Sequence, residues 1–248
     1  GAPALIRGGL RSRGGGGLGG GGLGAAGGGR VGLSAGQQGE KEHHRGASGV
    51  VFRGSPAPIS LEPALARVLL SHNYHLALDP REAALGRPYP PLQTLVAAAR
   101  LKREGHEVLF DDRSFQPDET DFGALLDRLR PEVLALVGDD HSVAMKQCLG
   151  RIRRAGLAML EQARRRGIPA LASGPDVSDH PQDYLDAGAT AAVSGEVQEA
   201  LVEWLAGRSA VEGLHGARGA GGRRAPLSDL DGLPAPAWEL LDLSPYRQ

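Results

Sequence analysis

Three short segments of the sequence combine glycine with polar side chains in a pattern that suits ligand binding. They are Gly138-Asp139-Asp140, Ser173-Gly174-Pro175-Asp176 and Ser194-Gly195-Glu196. Glycine allows a planar or phosphate-bearing ligand to approach the backbone closely, and the neighbouring polar groups can hydrogen-bond to it. Each segment by itself is more simply explained as a tight turn. Taken together, they predict a ligand cleft, although they do not identify the ligand.

A long polar loop between residues 71 and 91 is the fourth candidate. It begins with Ser71-His72-Asn73-Tyr74-His75 and ends with Tyr89-Pro90-Pro91, which Leu92 follows. A loop of about 20 residues is far longer than is usual between a strand and a helix, so it is either functional or unstructured. Its prolines favour a fixed path. Both ends of this loop therefore join the candidate ligand contacts.

The elements that must position these segments are strands that alternate with helices. Short apolar runs of the kind that form strands buried on both faces occur five times, and stretches with helical spacing separate them. The predicted strands are Arg67–Ser71, Glu107–Asp111, Glu132–Val137, Pro169–Ala172 and Thr190–Val193. The predicted helices begin at Pro91, at Asp121 as a cap, at Ser142, at Pro181, and after Ser194 as a cap.

This alternation predicts an α/β fold for residues 66–206. We expect a Rossmann-like or flavodoxin-like, doubly wound sheet of five parallel strands in the order 2-1-3-4-5. In such sheets ligands bind outside the carboxyl ends of the strands, near the switch point between strands one and three. The four candidate segments all follow predicted strands, so the fold would gather them at one edge of the sheet.

Composition sets further limits on the fold and function. Of the 38 glycines, 20 lie in residues 1–49, and this low-complexity tail predicts a disordered segment over residues 1–58. A formal net charge of -1 does not favour nucleic acid as a partner. No apolar run is long enough to predict a membrane span, and the single cysteine excludes a disulfide framework, so we expect a cytoplasmic protein.

Several motifs, in order along the chain, resemble one known family. Arg87-Pro88-Tyr89-Pro90-Pro91-Leu92, with Gly105-His106-Glu107-Val108 after it, looks like the start of the cobalamin-binding domain of cobalamin-dependent (class B) radical SAM enzymes. The tail from Leu227 to Arg247, with Leu233-Pro234-Ala235-Pro236-Ala237-Trp238 at its centre, resembles the connector into their radical SAM domain. The resemblance covers residues 67–248.

The resemblance implies a Rossmann-like module that binds cobalamin, with residues 207–248 as a connector. The implied cobalamin contacts are Ser71, His72, Asn73, Tyr74, Tyr89, Pro90, Pro91, Leu92, Gly138, Asp139, Asp140, Ser173, Gly174, Asp176, Gly195 and Glu196. The corrin would lie against the loop after the first strand and the Asp139 turn. The nucleotide tail would run towards Ser173-Gly174 and Gly195-Glu196.

Two departures from the family pattern affect this interpretation. Gly195-Glu196-Val197-Gln198 stands where the family has Gly-Glu-Gly-Glu, and no Cys-x-x-x-Cys-x-x-Cys loop is present to hold a [4Fe-4S] cluster. We therefore expect a truncated gene product or a stand-alone cobalamin carrier that is inactive alone. S-adenosylmethionine and the cluster would bind only in the missing domain, which the full-length form would carry in cis.

The axial ligand of cobalt stays open at this point. His72 and His75 lie in the loop after the first strand, but the Asp-x-His-x-x-Gly motif of other cobalamin carriers is missing there. A capping or exposed histidine is the simpler explanation for both. We therefore predict no metal ligand, with His72 or His75 as the only alternatives.

Two other functions fit the same fold. A phosphoacceptor domain with Asp139 as its acceptor would need an acidic pair after the first strand and a lysine after the fifth, and both are missing. A nucleotide-sugar or dinucleotide binder would normally carry Gly-x-Gly-x-x-Gly in the first turn, where this chain has a proline-rich loop. Cobalamin binding is the function that the sequence favours.

Overall fold

A computed structural model describes residues 65–86, 88–138 and 149–247. All of them lie in one compact unit of the chain, residues 53–248. The predicted disordered segment, Arg87, Asp139 and Asp140 lie outside the described residues. Among the described residues, no helix is long and apolar enough to cross a membrane.

The centre of this unit is a mainly parallel sheet of six strands. Five parallel strands stand in the order β2-β1-β3-β4-β5, which confirms the predicted order, and β7 adds an antiparallel edge beside β5. The strands are β1 Arg67–Ser71, β2 Glu107–Asp111, β3 Val133–Val137, β4 Ala170–Ser173, β5 Ala191–Val193 and β7 Leu214–Gly216. A small second sheet pairs β6 Val211–Glu212 with β8 Gly219–Gly221.

Helices cover both faces of the sheet, as the doubly wound prediction requires. They are α1 Pro80–Leu85, α2 Leu92–Arg103, α3 Phe122–Leu129, α4 Leu149–Arg165, α5 Pro175–Asp179, α6 Pro181–Ala187 and α7 Val197–Leu205. Single 3-10 turns occur at Leu76–Leu78, Trp238–Leu240 and Ser244–Tyr246. The predicted start of the fourth helix at Ser142 lies outside the described residues.

Side-chain alternation along the strands produces two separate cores. In β1, Val68 and Leu70 pack with α2 and α7 on one face, whereas Leu69 packs with α3 and α4 on the other. All three side chains are fully buried. Because successive strand residues point to opposite faces, a continuous apolar run is what a strand buried on both sides requires.

Two predicted helix starts, at Pro91 and Ser194, differ from the structure, whereas the position of the Asp121 cap is confirmed. Pro91 is the cap residue of α2 rather than its first helical residue, and Asp121 caps α3 without a side-chain hydrogen bond to its backbone. Ser194 does not cap α7: Glu196 precedes that helix, and the Ser194 hydroxyl lies 2.9 Å from Nε2 of His215 on β7. The side chains of Asp121 and Ser194 pair instead with Arg113 and His215, respectively.

Candidate functional site

Of two clefts that contain predicted contacts, the larger lies at the carboxyl ends of β3, β4 and β5, on the face covered by α2 and α7. Its volume is about 670 Å³, which includes solvent space at its opening. Five predicted contacts meet here: Gly138, Ser173, Gly174, Gly195 and Glu196. The other lining residues, which the sequence analysis did not select, are Gln93, Val137, Pro175, Ser178, Val197 and Arg223.

Ser173 forms part of the wall of this cleft and brings a polar group into an apolar surface. Its strand neighbours in register are Val137 and Val193, and all three follow the alternation that points them to the α2 and α7 face. The residue is 1% exposed, and its hydroxyl has no hydrogen-bond partner among the described residues. Since a buried hydroxyl without a partner costs free energy, a polar ligand group here would relieve that cost.

Two glycines of the cleft are required by the packing of the protein itself. Gly174 (φ +131°) and Gly195 (φ +103°) adopt conformations that other residues rarely reach. A Cβ on Gly174 would lie 3.0 Å from the Gly138 backbone, and one on Gly195 would lie 2.6 Å from the carbonyl oxygen of Arg224. Close approach of two protein segments therefore requires glycine at both positions.

A second, smaller cleft of about 340 Å³ lies on the opposite face of β4, and it contains Asn73 and Asp176. Asp176 accepts two hydrogen bonds from Arg153 and one, at 2.7 Å, from the Tyr184 hydroxyl. Although burial opposes the charged form, these donors lower the pKa of Asp176 below its ordinary value. Asp176 thus joins α4, α5 and α6, and it does not line the larger cleft.

The end of β1 and the loop that follows it contact the end of β2 and the loop that follows β2. The Ser71 hydroxyl donates to Asp111 at 2.9 Å, and His72 Nε2 lies 3.0 Å from Asp112 Oδ1. The backbone N–H of Tyr74 donates to His72 Nδ1 at 3.3 Å, so both ring nitrogens are engaged. Burial alone would raise the pKa of Asp112, but hydrogen bonds from His72, the Ser114 backbone and Tyr246 lower it to about 2.

His75, the second possible cobalt ligand, is a buried neutral imidazole. Its Nδ1 lies 3.2 Å from the carbonyl oxygen of Gln116, and Nε2 has no partner among the described residues. Burial, together with the charges of Arg113 and His72, lowers its pKa to about 4. The residue is fully buried, so neither His72 nor His75 presents an accessible ring nitrogen in this conformation.

The remaining predicted contacts lie outside the larger cleft. Tyr74 is buried against Ile152, Tyr89 and Leu92 are about half exposed, and Pro90 and Pro91 lead into α2. Asn73 lines only the smaller cleft and donates to the carbonyl oxygen of Ile152 at 3.1 Å. The structure thus joins Gly138, Ser173, Gly174, Gly195 and Glu196 in the larger cleft. In the smaller cleft, Asn73 from the loop after β1 meets Gly138, Ser173 and Gly174.

The segment after α7, residues 207–247, supplies one residue of the larger cleft that no sequence pattern predicted, Arg223. Its neighbour Arg224 donates its backbone N–H to Ser194 O at 2.8 Å and pairs through two nitrogens with Glu203, both at 3.0 Å. Burial opposes this charge, but the hydrogen bonds from Arg224 to Glu203 raise the pKa of Arg224 above its ordinary value. No group of three or more His, Cys, Asp or Glu among the described residues could hold a metal ion.

Comparison with known proteins gives structural neighbours of low sequence identity. One neighbour is the radical S-adenosylmethionine methyltransferase TsrM from Kitasatospora setae, solved with cobalamin and a [4Fe-4S] cluster; it has 20% identity and a TM-score of 0.48 over 65% of this chain and 31% of its own. Another is OxsB, solved with aqua-cobalamin and S-adenosylmethionine, with 14% identity and a TM-score of 0.49 over 72% of this chain and 25% of its own. These neighbours are cobalamin-dependent radical SAM enzymes. No family model and no curated protein matches the chain, which spans a quarter to a third of both enzymes.

Proposed function

We propose that this chain is a cobalamin-binding module. The observation that carries the proposal is the meeting of Gly138, Ser173, Gly174, Gly195 and Glu196 in one open cleft at the carboxyl ends of β3, β4 and β5. Ligands of doubly wound sheets bind at this edge. The motif resemblance then selects cobalamin from among the ligands that such a cleft could take.

The cleft residues fit the nucleotide end of the cofactor. Val137 and Val197 offer apolar surface to a heteroaromatic ring, and the unpartnered Ser173 hydroxyl can hydrogen-bond to a ring nitrogen or a sugar oxygen. When bound, cobalamin supplies a cobalt centre that carries a methyl or other alkyl group. The protein's part is to hold the cofactor and exclude water from its buried end.

Cobalt in this module would have no histidine ligand from the described residues. Both nitrogens of His72 are engaged by backbone or carboxylate groups, and Nε2 of His75 is buried. Reaching either nitrogen would require the loop after β1 to open. We therefore propose that neither His72 nor His75 would coordinate the cobalt of a bound cobalamin.

We further propose that the module works with a radical SAM domain in cis. S-adenosylmethionine and the [4Fe-4S] cluster would bind in that domain, because Cys148 is the single cysteine of this chain and a cluster of this kind needs three thiolates. The substrate would be chosen there as well. The module alone is then expected to bind cobalamin without cleaving S-adenosylmethionine.

A titration with hydroxocobalamin, followed by its visible spectrum and by equilibrium dialysis, tests cobalamin binding. The variant Ser173→Leu should lower affinity at least tenfold, because its side chain would extend from the wall of the cleft into the space for the nucleotide. Ser228→Leu, a substitution of the same kind at an exposed position of the tail, is the matched control and should bind normally.

Dinucleotides and nucleotide-sugars serve as competitors in the same titration. If hydroxocobalamin does not bind, or if NAD or UDP-glucose binds with higher affinity and displaces hydroxocobalamin, the cleft belongs to a nucleotide-binding protein. Binding that is equal in Ser173→Leu and in the unmodified chain would place cobalamin outside this cleft.

A further inference from the structure

We propose that the larger cleft contains a phosphate subsite, formed by the first turn of α7 and the guanidinium of Arg223, that accepts the phosphodiester of a nucleotide. This inference rests on the proposed function for the identity of the ligand, since the nucleotide tail of cobalamin carries one phosphodiester. The subsite itself follows from three observations on the described residues.

The first observation is the uncapped start of α7. This helix has nine residues, and the residue before it, Glu196, makes no side-chain hydrogen bond to the first turn. The first N–H groups of a helix have no intrahelical acceptor, and the helix dipole gives them a partial positive charge. Glu196 and Val197 both line the larger cleft, so these donors lie at its wall.

The second observation is the Ser173 hydroxyl, which points to a ligand independently of the helix. It is buried, has no partner among the described residues, and lies on the strand face that forms part of the cleft wall. Such a hydroxyl is satisfied either by water or by a polar ligand group. In a bound nucleotide it would serve the base or ribose while α7 serves the phosphate.

The third observation is the anchoring of Arg223 at the cleft. Arg224 is fixed by Ser194 and Glu203, and its carbonyl oxygen packs where Gly195 has no side chain. Arg223 is the preceding residue; it is exposed, lines the cleft, and forms no ion pair with the described residues. An arginine guanidinium and the N–H groups of a helix start that line the same cleft are both suitable donors for phosphate oxygens.

The charge balance of this subsite favours a phosphodiester over a phosphate monoester. Arg223 and the dipole of α7 are offset in part by the carboxylate of Glu196, which lines the same cleft. A diester carries one negative charge, whereas a monoester carries nearly two at neutral pH. The second charge would be repelled by Glu196, so we expect a diester to bind more tightly than the corresponding monoester.

Cobinamide separates the phosphate subsite from the rest of the site, because it retains the corrin and lacks the nucleotide with its phosphodiester. Affinities for hydroxocobalamin and cobinamide would be measured by dialysis at low and high salt. The variant Arg223→Gln should weaken cobalamin binding roughly five- to tenfold at low salt, and high salt should reduce this difference. Cobinamide binding should not change.

Two further variants complete the design. Ser173→Ala should also weaken cobalamin and spare cobinamide, but without dependence on salt. Arg208→Gln, at an exposed arginine just after α7, is the matched charge control and should change neither affinity. Because Arg223 is exposed, its variant should unfold at the same temperature as the unmodified chain.

Each outcome decides one of the two proposals. If cobalamin binds but Arg223→Gln weakens the binding of both corrinoids equally, or of neither, the phosphate subsite is wrong and the cobalamin module stands. If neither corrinoid binds, the cobalamin module is wrong, and calorimetry with AMP and its methyl ester then decides the subsite. Tighter binding of the ester, lost in Arg223→Gln, would support the subsite, and the absence of binding would overturn it.

Discussion

Two neighbouring histidines after β1 show how the same residue type takes different roles within four positions. His72 is engaged at both ring nitrogens by Asp112 and the Tyr74 backbone, so it fixes the turn of the loop towards β2. His75 makes one hydrogen bond, to Gln116, and is otherwise enclosed. Such a buried imidazole is stable only in its neutral form.

The neutral state of His75 predicts a specific loss of stability in acid. Its pKa is about 4 in the folded chain against an ordinary value of 6.5, because burial disfavours the charged ring. Between these two values the unfolded chain binds a proton that the folded chain does not, so the free energy of unfolding should fall as pH falls from 6.5 to 4. The full effect is at most about 3 kcal/mol.

Urea unfolding of the variant His75→Asn at several pH values measures this contribution. Asparagine can keep the hydrogen bond to Gln116 and does not titrate, so the curve of stability against pH should flatten between pH 6.5 and 4. His180→Asn, at an exposed histidine, should keep the slope of the unmodified chain. An unchanged slope in His75→Asn would show that His75 is not the group responsible.

At the scale of elements, the structure makes the contact between the tail and the Gly195 turn a stability determinant. Alanine at Gly195 would meet both a positive φ and the Arg224 carbonyl oxygen at 2.6 Å. Gly167 also has a positive φ, +68°, but nothing lies within 4 Å of an added Cβ. Gly195→Ala should therefore cost about 2 to 3 kcal/mol, and Gly167→Ala about 1 kcal/mol.

Thermal and urea unfolding of the two alanine variants provide the comparison. The difference between them measures the steric contact together with the larger conformational penalty of alanine at φ +103° than at φ +68°. Equal destabilisation would mean that the tail moves aside at little cost and does not hold the Gly195 turn in place.

The elements that could be predicted from the sequence are those whose signal is local. β1 to β5 are apolar runs buried on both faces, so their positions and order follow from periodicity and the rules of parallel sheets. β7 carries only Leu214 as a buried apolar residue in a segment rich in glycine, so it has no local strand signal. α1 could have been found, because Asp79 caps it, Pro80 begins it and Gly86 ends it.

The candidate site divides in the same way. The residues after β3, β4 and β5 could be predicted to meet because every parallel strand brings its carboxyl end to the same edge of the sheet. The orientations of Asp176 and His72 depend on Arg153 and Asp112, which are 23 and 40 residues distant in the chain. No spacing rule predicts such pairs.

At the scale of the whole unit, the residues proposed as a connector take part in the fold. Val211, Leu214, Ala237 and Leu241 are buried, and the Ala237 N–H donates to the carbonyl oxygen of Leu95 in α2. The Tyr246 hydroxyl donates to Asp112 at 2.8 Å and lies 2.9 Å from the Ser114 hydroxyl. Residues 207–247 thus contact α2, β5 and the loop after β2.

Truncation tests whether a domain of residues 66–206 stands alone. A chain that ends at residue 206 loses the burial of two large side chains, Val211 and Leu214, and exposes the edge of β5, so its free energy of unfolding should fall by roughly 4 kcal/mol or more. A chain that ends at residue 226 keeps β6, β7, β8 and Arg224, and most of the loss should be recovered. Equal stability of all three lengths would show that the tail is only a connector.

The two clefts share one wall. Gly138, Ser173, Gly174 and Pro175 line both of them, and the backbones of Gly138 and Gly174 are too close for a single added methyl group. Any displacement of this wall that widens one opening narrows the other by the same movement. A spectroscopic probe beside Tyr184, in the smaller cleft, would therefore report whether a ligand fills the larger cleft on the other face of the sheet.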